Sequence, residues 1–354
     1  MRLFAFLLAA LALLGVAAAT TRARPVNAVA LLGPPQETLA AYRLFTDGGA
    51  RAPNAGVTPY DLNNALYADG AMKFRYVFIP PGARASYSAD DVFEFPVGAA
   101  LIKTFAIAAD MRRPAESVRY LETRLLIRQR AGWVAFAYVW NEDQTEARLA
   151  PIGAEVPVQW IDEAGATVAL NWRVPNRNQC KGCHDRDGRI SPIGPTARNL
   201  NKDHLYRDGA TENQLVRWAA FLDGAPAPSE APRAPASFDA ASGPLDARAR
   251  AYLDVNCAHC HNPHGPASVS GLDLRAANPD PVTLGIRKRP IAAGRGAGER
   301  LYAIAPGRPD ASILLYRMQS LEPGIMMPEL GRQHTDGAAI ALIREWVAGM
   351  DAPR

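Results

Sequence analysis

Cysteine and histidine are both scarce in this chain, at four and six of 354 residues. Charge of one sign is also in short supply. The formal net charge is +4, or +3 once Arg2 is set aside, too little bias to argue for a nucleic-acid partner. Beyond the first nineteen residues no stretch is apolar enough to cross a bilayer. No internal repeat is evident apart from one doubled motif. No catalytic constellation stands out in the first half, where Asp90, Asp91, Glu94, Glu122, Asp143 and Glu146 read as solvated strand and turn positions.

The scarce residues are grouped. Cys180-Lys181-Gly182-Cys183-His184 and Cys257-Ala258-His259-Cys260-His261 are two copies of C-x-x-C-H, and they use every cysteine in the chain. With so few histidines, chance placement of one directly after both pairs is improbable. Cysteines three apart lie one helical turn apart on one face, so both thiols can add to the vinyl edge of a porphyrin. The histidine that follows then ligates the iron. The spacing therefore predicts two covalently attached haem c groups, with Cys180, Cys183, Cys257 and Cys260 as attachment points and His184 and His261 as axial ligands. Zinc and vicinal disulfides are the competing readings. Zinc ribbons usually place their two pairs about 15–20 residues apart, far closer than Cys183 and Cys257 stand here.

Residues 1–19 read as a secretory signal peptide: Arg2, an apolar run from Leu3 to Val16, then Ala17-Ala18-Ala19. No cysteine follows the cleavage site, which argues against a lipoprotein anchor. The expected location is the periplasm, where c-type haem is attached in bacteria. A linker is expected over 20–41 and a β-rich domain over 42–175. Candidate strands in it are Lys73–Ile79, Val92–Phe95, Leu101–Ile107, Val118–Arg130 and Trp133–Trp140, with a closing hairpin of Val158–Ile161 and Thr167–Trp172. Trp133, Phe136, Tyr138 and Trp140 read as core. A first haem segment spans 176–224, with Thr211 capping a helix through Leu215, Trp218 and Leu222. An exposed linker rich in Ala, Pro and Ser spans 225–243. A second haem domain occupies 244–354, with helices from Leu245, from Asp310 or Ser312, and from Asp336 to Met350. The fold class predicted is α+β multidomain: an N-terminal antiparallel, sandwich-like β domain, then a mostly α-helical c-type cytochrome region with two haems.

The stretches Phe45–Pro80, Glu122–Ala147 and Asn178–Asn201 (NQCKGCH…PIGPTARNLN) give the chain a wider likeness. It resembles the predicted diheme c-type cytochromes of proteobacteria that carry a β-rich domain ahead of the haem region. The resemblance spans nearly the whole mature chain. It implies two covalent haems, export and electron transfer, and it offers an exported parallel β-helix repeat protein as a partner alongside periplasmic electron donors and acceptors.

For the second haem, Met327 is favoured as sixth ligand over Met326, because a residue before proline is held extended. Met318 reads as core. For the first haem, no methionine lies between Cys183 and Cys257. His204 is the histidine available in that interval, and Met72, Met111, a spare C-terminal methionine or an empty site are the alternatives. Two functions follow. One is an electron carrier between periplasmic partners. The other is a diheme, peroxidase-like enzyme with an open site on the first haem, and the absence of an acid–base pair beside that haem places it second.

Overall fold

The computed structural model describes residues 24–47, 52–291 and 294–351; the leader expected at 1–19 and the start of the 20–41 segment lie outside them. The chain first lays down β1 (Val57–Tyr60), β2 (Met72–Phe78) and a short β3 (Ala85–Ser86). Then come β4 (Ala100–Ala108), β5 (Val118–Gln129), β6 (Gly132–Trp140) and β7 (Ala147–Leu149). All but β3 form one antiparallel sheet in the order β1-β2-β4-β5-β6-β7. These segments are strands because β-branched and aromatic residues dominate them and tight turns separate them. The β5–β6 connection is only Arg130-Ala131, and Gly132 takes a φ of 138° that a side chain would resist.

Residue parity assigns two different faces. On one, Tyr76, Phe78, Ala100, Ile102, Leu125, Ile127, Tyr138 and Trp140 form an apolar core. That core is closed by Val26, Leu31, Leu39, Tyr42 and Leu44 from the N-terminal segment, which includes α1 (Ala28–Leu32). Residues 26–41 are therefore packed structure where the sequence suggests a linker. Tyr138 fastens them, its hydroxyl lying 2.9 Å from the Gln36 carbonyl and 3.0 Å from the Tyr42 hydroxyl.

The opposite face is split. At one end Val77 and Leu101 pack beneath Leu200, Leu215, Trp218 and Leu222. At the other, Phe105, Leu121 and Ala137 pack against Val158, Trp160, Trp172 and Val174. The latter four belong to a separate two-stranded hairpin of β8 (Ala154–Ile161) and β9 (Thr167–Val174). Between these apolar ends runs a polar strip.

The expected sandwich is thus one six-stranded sheet and a hairpin, and Val92–Phe95 forms isolated bridges, through Val92 and Glu94, instead of a strand. The mostly α-helical region is also overturned. Eight short α-helices occur among the described residues, the longest being α5 (Leu245–Asn256) and α8 (Gly337–Ala348) at 12 residues each. Before α5 come α2 (Arg177–His184), α3 (Ala197–Leu200) and α4 (Gln214–Trp218), and between α5 and α8 come α6 (Pro281–Leu284) and α7 (Ile313–Gln319). Proline or glycine recurs every few residues through most of 263–331, and each costs an interior helical position about 1–3 kcal/mol. Loops result. The first and last helices of the 244–354 region pack together: Leu253 and Ala249 of α5 share a core with Ile343, Trp346 and Val347 of α8. Trp346 Nε1 also donates to Asp246 at 2.8 Å.

The 225–243 stretch is held down as well. Asn64 donates to the Pro235 carbonyl at 2.8 Å and accepts from the Ser237 amide at 2.7 Å. Asn201 donates to the carbonyl of Pro228 at 2.8 Å. Thr211 lies in a strand, and Asn213 is the cap that accepts from the Leu215 amide. No helix of the described residues is long and apolar enough to cross a membrane.

Replacing Tyr138 by Phe removes the tie to the N-terminal segment. The expected cost is about 1–2 kcal/mol in denaturant unfolding, with faster proteolytic cleavage within 24–43 than in the parent protein.

Candidate functional site

Strand register builds the polar strip. Arg75 of β2 stands opposite Lys103 of β4, and Lys103 opposite Arg124 of β5, so three cations lie abreast. The next row on the same face is Lys73, Phe105 and Glu122. Like charges directly opposite each other are unfavourable by about 0.2–1 kcal/mol per pair, so compensation is required. Arg124 has it. Its guanidinium meets Glu122 through two bonds of 2.9 and 2.5 Å, and Glu122, fully buried, also accepts from Trp172 Nε1 at 3.0 Å. Arg75 has Asp61 at 3.5 Å. Lys103 has no ion pair among the described residues; its amine lies 4.7 Å from the centre of the Phe105 ring. Burial, with Arg75 and Arg124 adding to it, pushes this amine well below the usual lysine range. Glu122, expected at a solvated position, is instead the buried anchor of this wall.

Over the strip stands α2, which carries the first C-x-x-C-H. Its start is a capping box: Asn176 and Gln179 each accept the other's backbone N–H at 2.9 Å. Cys180 is buried, and the charge of Arg124 acts on both Cys180 and Cys183. After His184 the chain turns through a small hairpin of β10 (Asp185–Arg186) and β11 (Arg189–Ile190). The hairpin brings the Ser191 carbonyl to 2.8 Å from His184 Nδ1. Arg186 ties it to the sheet domain through two bonds to Asp91 at 2.7 and 2.6 Å.

The second motif follows α5, whose last residue, Asn256, accepts the Tyr67 amide at 2.7 Å. Cys257 to His261 is one turn, closed by the His261 amide donating to the Cys257 carbonyl at 2.9 Å. His261 Nδ1 lies 3.0 Å from Ser270 Oγ. In both motifs, then, Nδ1 has a partner and Nε2 makes no hydrogen bond among the described residues. This is the orientation an iron-ligating imidazole needs.

The two motifs meet. The Asp187 amide donates to the His264 carbonyl at 3.0 Å, and His264 Nδ1 lies 3.1 Å from Asp187 Oδ1. Cys183 lies close enough to Cys260 to influence its protonation, and His259 close enough to influence that of His184. Burial pushes the thiols of Cys257 and Cys260 up to about 12 and the imidazoles of His184 and His261 down to about 4. The four cysteines are free, and among the described residues no group of three or more His, Cys, Asp or Glu is placed to hold a metal ion.

Arg317 of α7 stands near both the second motif and the methionine loop. Its charge acts on His261, its Nε donates to the Ile325 carbonyl at 2.7 Å, and its carbonyl accepts the Met327 amide at 3.0 Å. Arg332 clamps the loop from the other side, donating to the carbonyls of Ser320 at 2.8 Å and Met327 at 2.9 Å. Asp69 accepts the next amides, those of Gln333 and His334, each at 2.8 Å. Met326 is buried, Met327 half-buried, and Met318 packs in the α5–α8 core as expected.

His204 is placed elsewhere. It sits in a hairpin of β12 (Asp203–Leu205) and β13 (Thr211–Asn213), its ring centroid 4.7 Å from that of Tyr206, and the charges acting on it are Asp61 and Lys202. Those acting on His184 are His259, Lys103 and Arg124. The cation row and His259 were missed from sequence. Lys73, Arg75, Lys103 and Arg124 at alternate positions of buried strands were the available signal.

Comparison with protein-family models, with curated proteins and with solved structures finds no match to this chain.

Arg332→Met would leave the Met327 loop without its carbonyl clamp. A loss of about 2–4 kcal/mol is expected in chemical denaturation, since buried acceptors are stranded, and cleavage between 320 and 334 should accelerate in limited proteolysis.

Proposed function

We propose that the chain is an exported diheme c-type cytochrome that passes electrons between periplasmic redox partners. The observation that carries this reading is the shared set of the two C-x-x-C-H histidines: Nδ1 engaged by Ser191 in one and Ser270 in the other, Nε2 unbonded, beside cysteines that are all unpaired. Cys180 and Cys183 would hold one haem by thioether bonds, Cys257 and Cys260 the other. His184 and His261 would be the axial ligands on the motif side. When bound, each haem supplies a one-electron iron couple whose potential is set by its axial ligands and surroundings.

The chain's own residues shape that couple. Met327 would complete the second site, and the hydrogen bonds of its amide to Arg317 and of its carbonyl to Arg332 fix the loop that presents it. A haem carboxylate beside Lys103, which lacks a carboxylate of its own, would draw the amine back to its charged form, and that cation would favour the reduced state at the first site. Ser191 and Ser270 hold the imidazole tautomers. Partners on this reading are periplasmic electron donors and acceptors, with an exported β-helix repeat protein as the candidate offered by the sequence resemblance.

Protein made in a host with cytochrome c maturation should retain two haems through acid–acetone extraction, and a Cys257→Ala, Cys260→Ala variant should retain one. Extractable haem, or stoichiometric zinc, would overturn the reading. Met327→Ala should abolish the sulfur-to-iron charge-transfer band and lower one potential, whereas Met326→Ala should leave both nearly unchanged. Lys103→Met should lower the other potential, with Lys103→Arg near the parent value in a redox titration. A partly screened unit charge is worth about 1–2 kcal/mol, or roughly 40–90 mV for one electron.

A further inference from the structure

The geometry assigns His259 as the sixth ligand of the first haem, so that the second haem motif also serves the iron held by the first. This rests on the diheme reading above.

Past the end of α5, Cys257 to His261 forms a turn, with the Cys257 amide bonded to the Leu253 carbonyl and the His261 amide to the Cys257 carbonyl, both at 2.9 Å. In a turn closed by such a bond between a residue and the fourth after it, residues two apart face roughly opposite sides, so His259 is set away from His261. One side therefore serves the turn's own haem. His259 is directed away from it.

What lies on the far side is the first motif. His259 lies close enough to His184 to influence its protonation, and Lys103 lies close enough to influence both imidazoles. The Asp187–His264 pair, with its backbone bond at 3.0 Å and its side-chain contact at 3.1 Å, holds the two loops in that relation. His259 has no ion pair among the described residues. Its Nδ1 is buried and makes no hydrogen bond, so this imidazole is a buried polar side chain that the described residues leave without a partner.

The other candidates are committed elsewhere. Met72 packs on the opposite face of the sheet with Tyr76. Met111 Sδ accepts the Ala108 amide at 3.5 Å within the β8–β9 core. Met318 and Met350 belong to the α5–α8 core. His204 is surrounded by Asp61, Lys202 and Tyr206.

If His259 ligates the first iron, its sequence neighbour Cys260 bears a thioether of the second haem. One peptide unit then links the two centres, a covalent route for exchange between them.

The test uses the full holoprotein. In the wild type, EPR should show one low-spin haem with two imidazole ligands and one with imidazole and thioether, and the reduced protein should bind no carbon monoxide at the first haem. His259→Ala should bind one equivalent of carbon monoxide there, and free imidazole should restore the low-spin spectrum. His259→Met should raise that haem's potential, because a soft sulfur favours ferrous iron. The charge-transfer band of the second haem should persist in both variants, and His204→Ala should match the wild type. A first haem that stays low-spin and closed to carbon monoxide in His259→Ala would overturn the assignment. So would carbon monoxide binding in the wild type, a measurement that needs no variant to fold. Failure of the diheme reading is separately visible, because haem would then be lost on acid–acetone extraction.

Discussion

Three cations abreast on neighbouring strands form an arrangement that a sheet does not tolerate unaided. Arg75, Lys103 and Arg124 occupy directly opposed positions on a largely covered face, and much of what surrounds them answers that constraint. Glu122 is fully buried because Arg124 and Trp172 satisfy its oxygens. A buried pair of this kind gains little net stability over an apolar one, yet breaking it by removing one partner costs about 3–5 kcal/mol. The apolar cover divides around the strip for the same reason: helices α3 and α4 close one end, the β8–β9 hairpin the other. The middle is left to the first cysteine motif. Beneath that motif lies the Lys103 amine, which has no ion pair among the described residues.

From that strip the molecule is joined outward by side chains that reach across long stretches of sequence. Asn256, at the end of α5, holds the Tyr67 amide, and Asp69 holds the amides of Gln333 and His334. Asp187 and His264 interlock the two motif loops. Gln214, fully buried, both donates to and accepts from the backbone of Asp61. The sheet domain and the cysteine-bearing regions are thus joined into one packed body.

The strands were legible because alternation and turn residues are local signals: β2, β4, β5 and β6 lie within one or two residues of their expected spans. Helices α5 and α8 were legible from their apolar stripes. The loops between them were not, because apolar positions such as Leu274, Leu284 and Ile304 pack without any period. The N-terminal segment and the stretch around Pro235 read as linkers since their composition is polar or proline-rich. They are fixed instead by single long-range bonds, Tyr138 to Gln36 and Asn64 to Pro235, which no local pattern announces. At the candidate site the motifs themselves were plain. The cation row was hidden because its members are far apart in sequence and become neighbours only through register, and Glu122 looked like any strand acid until Arg124 and Trp172 closed on it. His259 was overlooked for a related reason, since the face of a turn matters only once its neighbour is known.

The depth of the thiols bears on the order of events in biogenesis. Cys180 is 8% exposed, and Cys257 lies against the α5–α8 core, where the Trp346–Asp246 bond joins residues a hundred positions apart. A topology dominated by such distant pairings closes late and slowly. On the diheme reading, an attachment enzyme needs the sulfurs in the open, and the finished fold withholds them. On that reading covalent loading would come first, on an extended chain, and the β sheet would complete its cover only afterwards. Slow closure would then keep open the interval in which the chain can be modified.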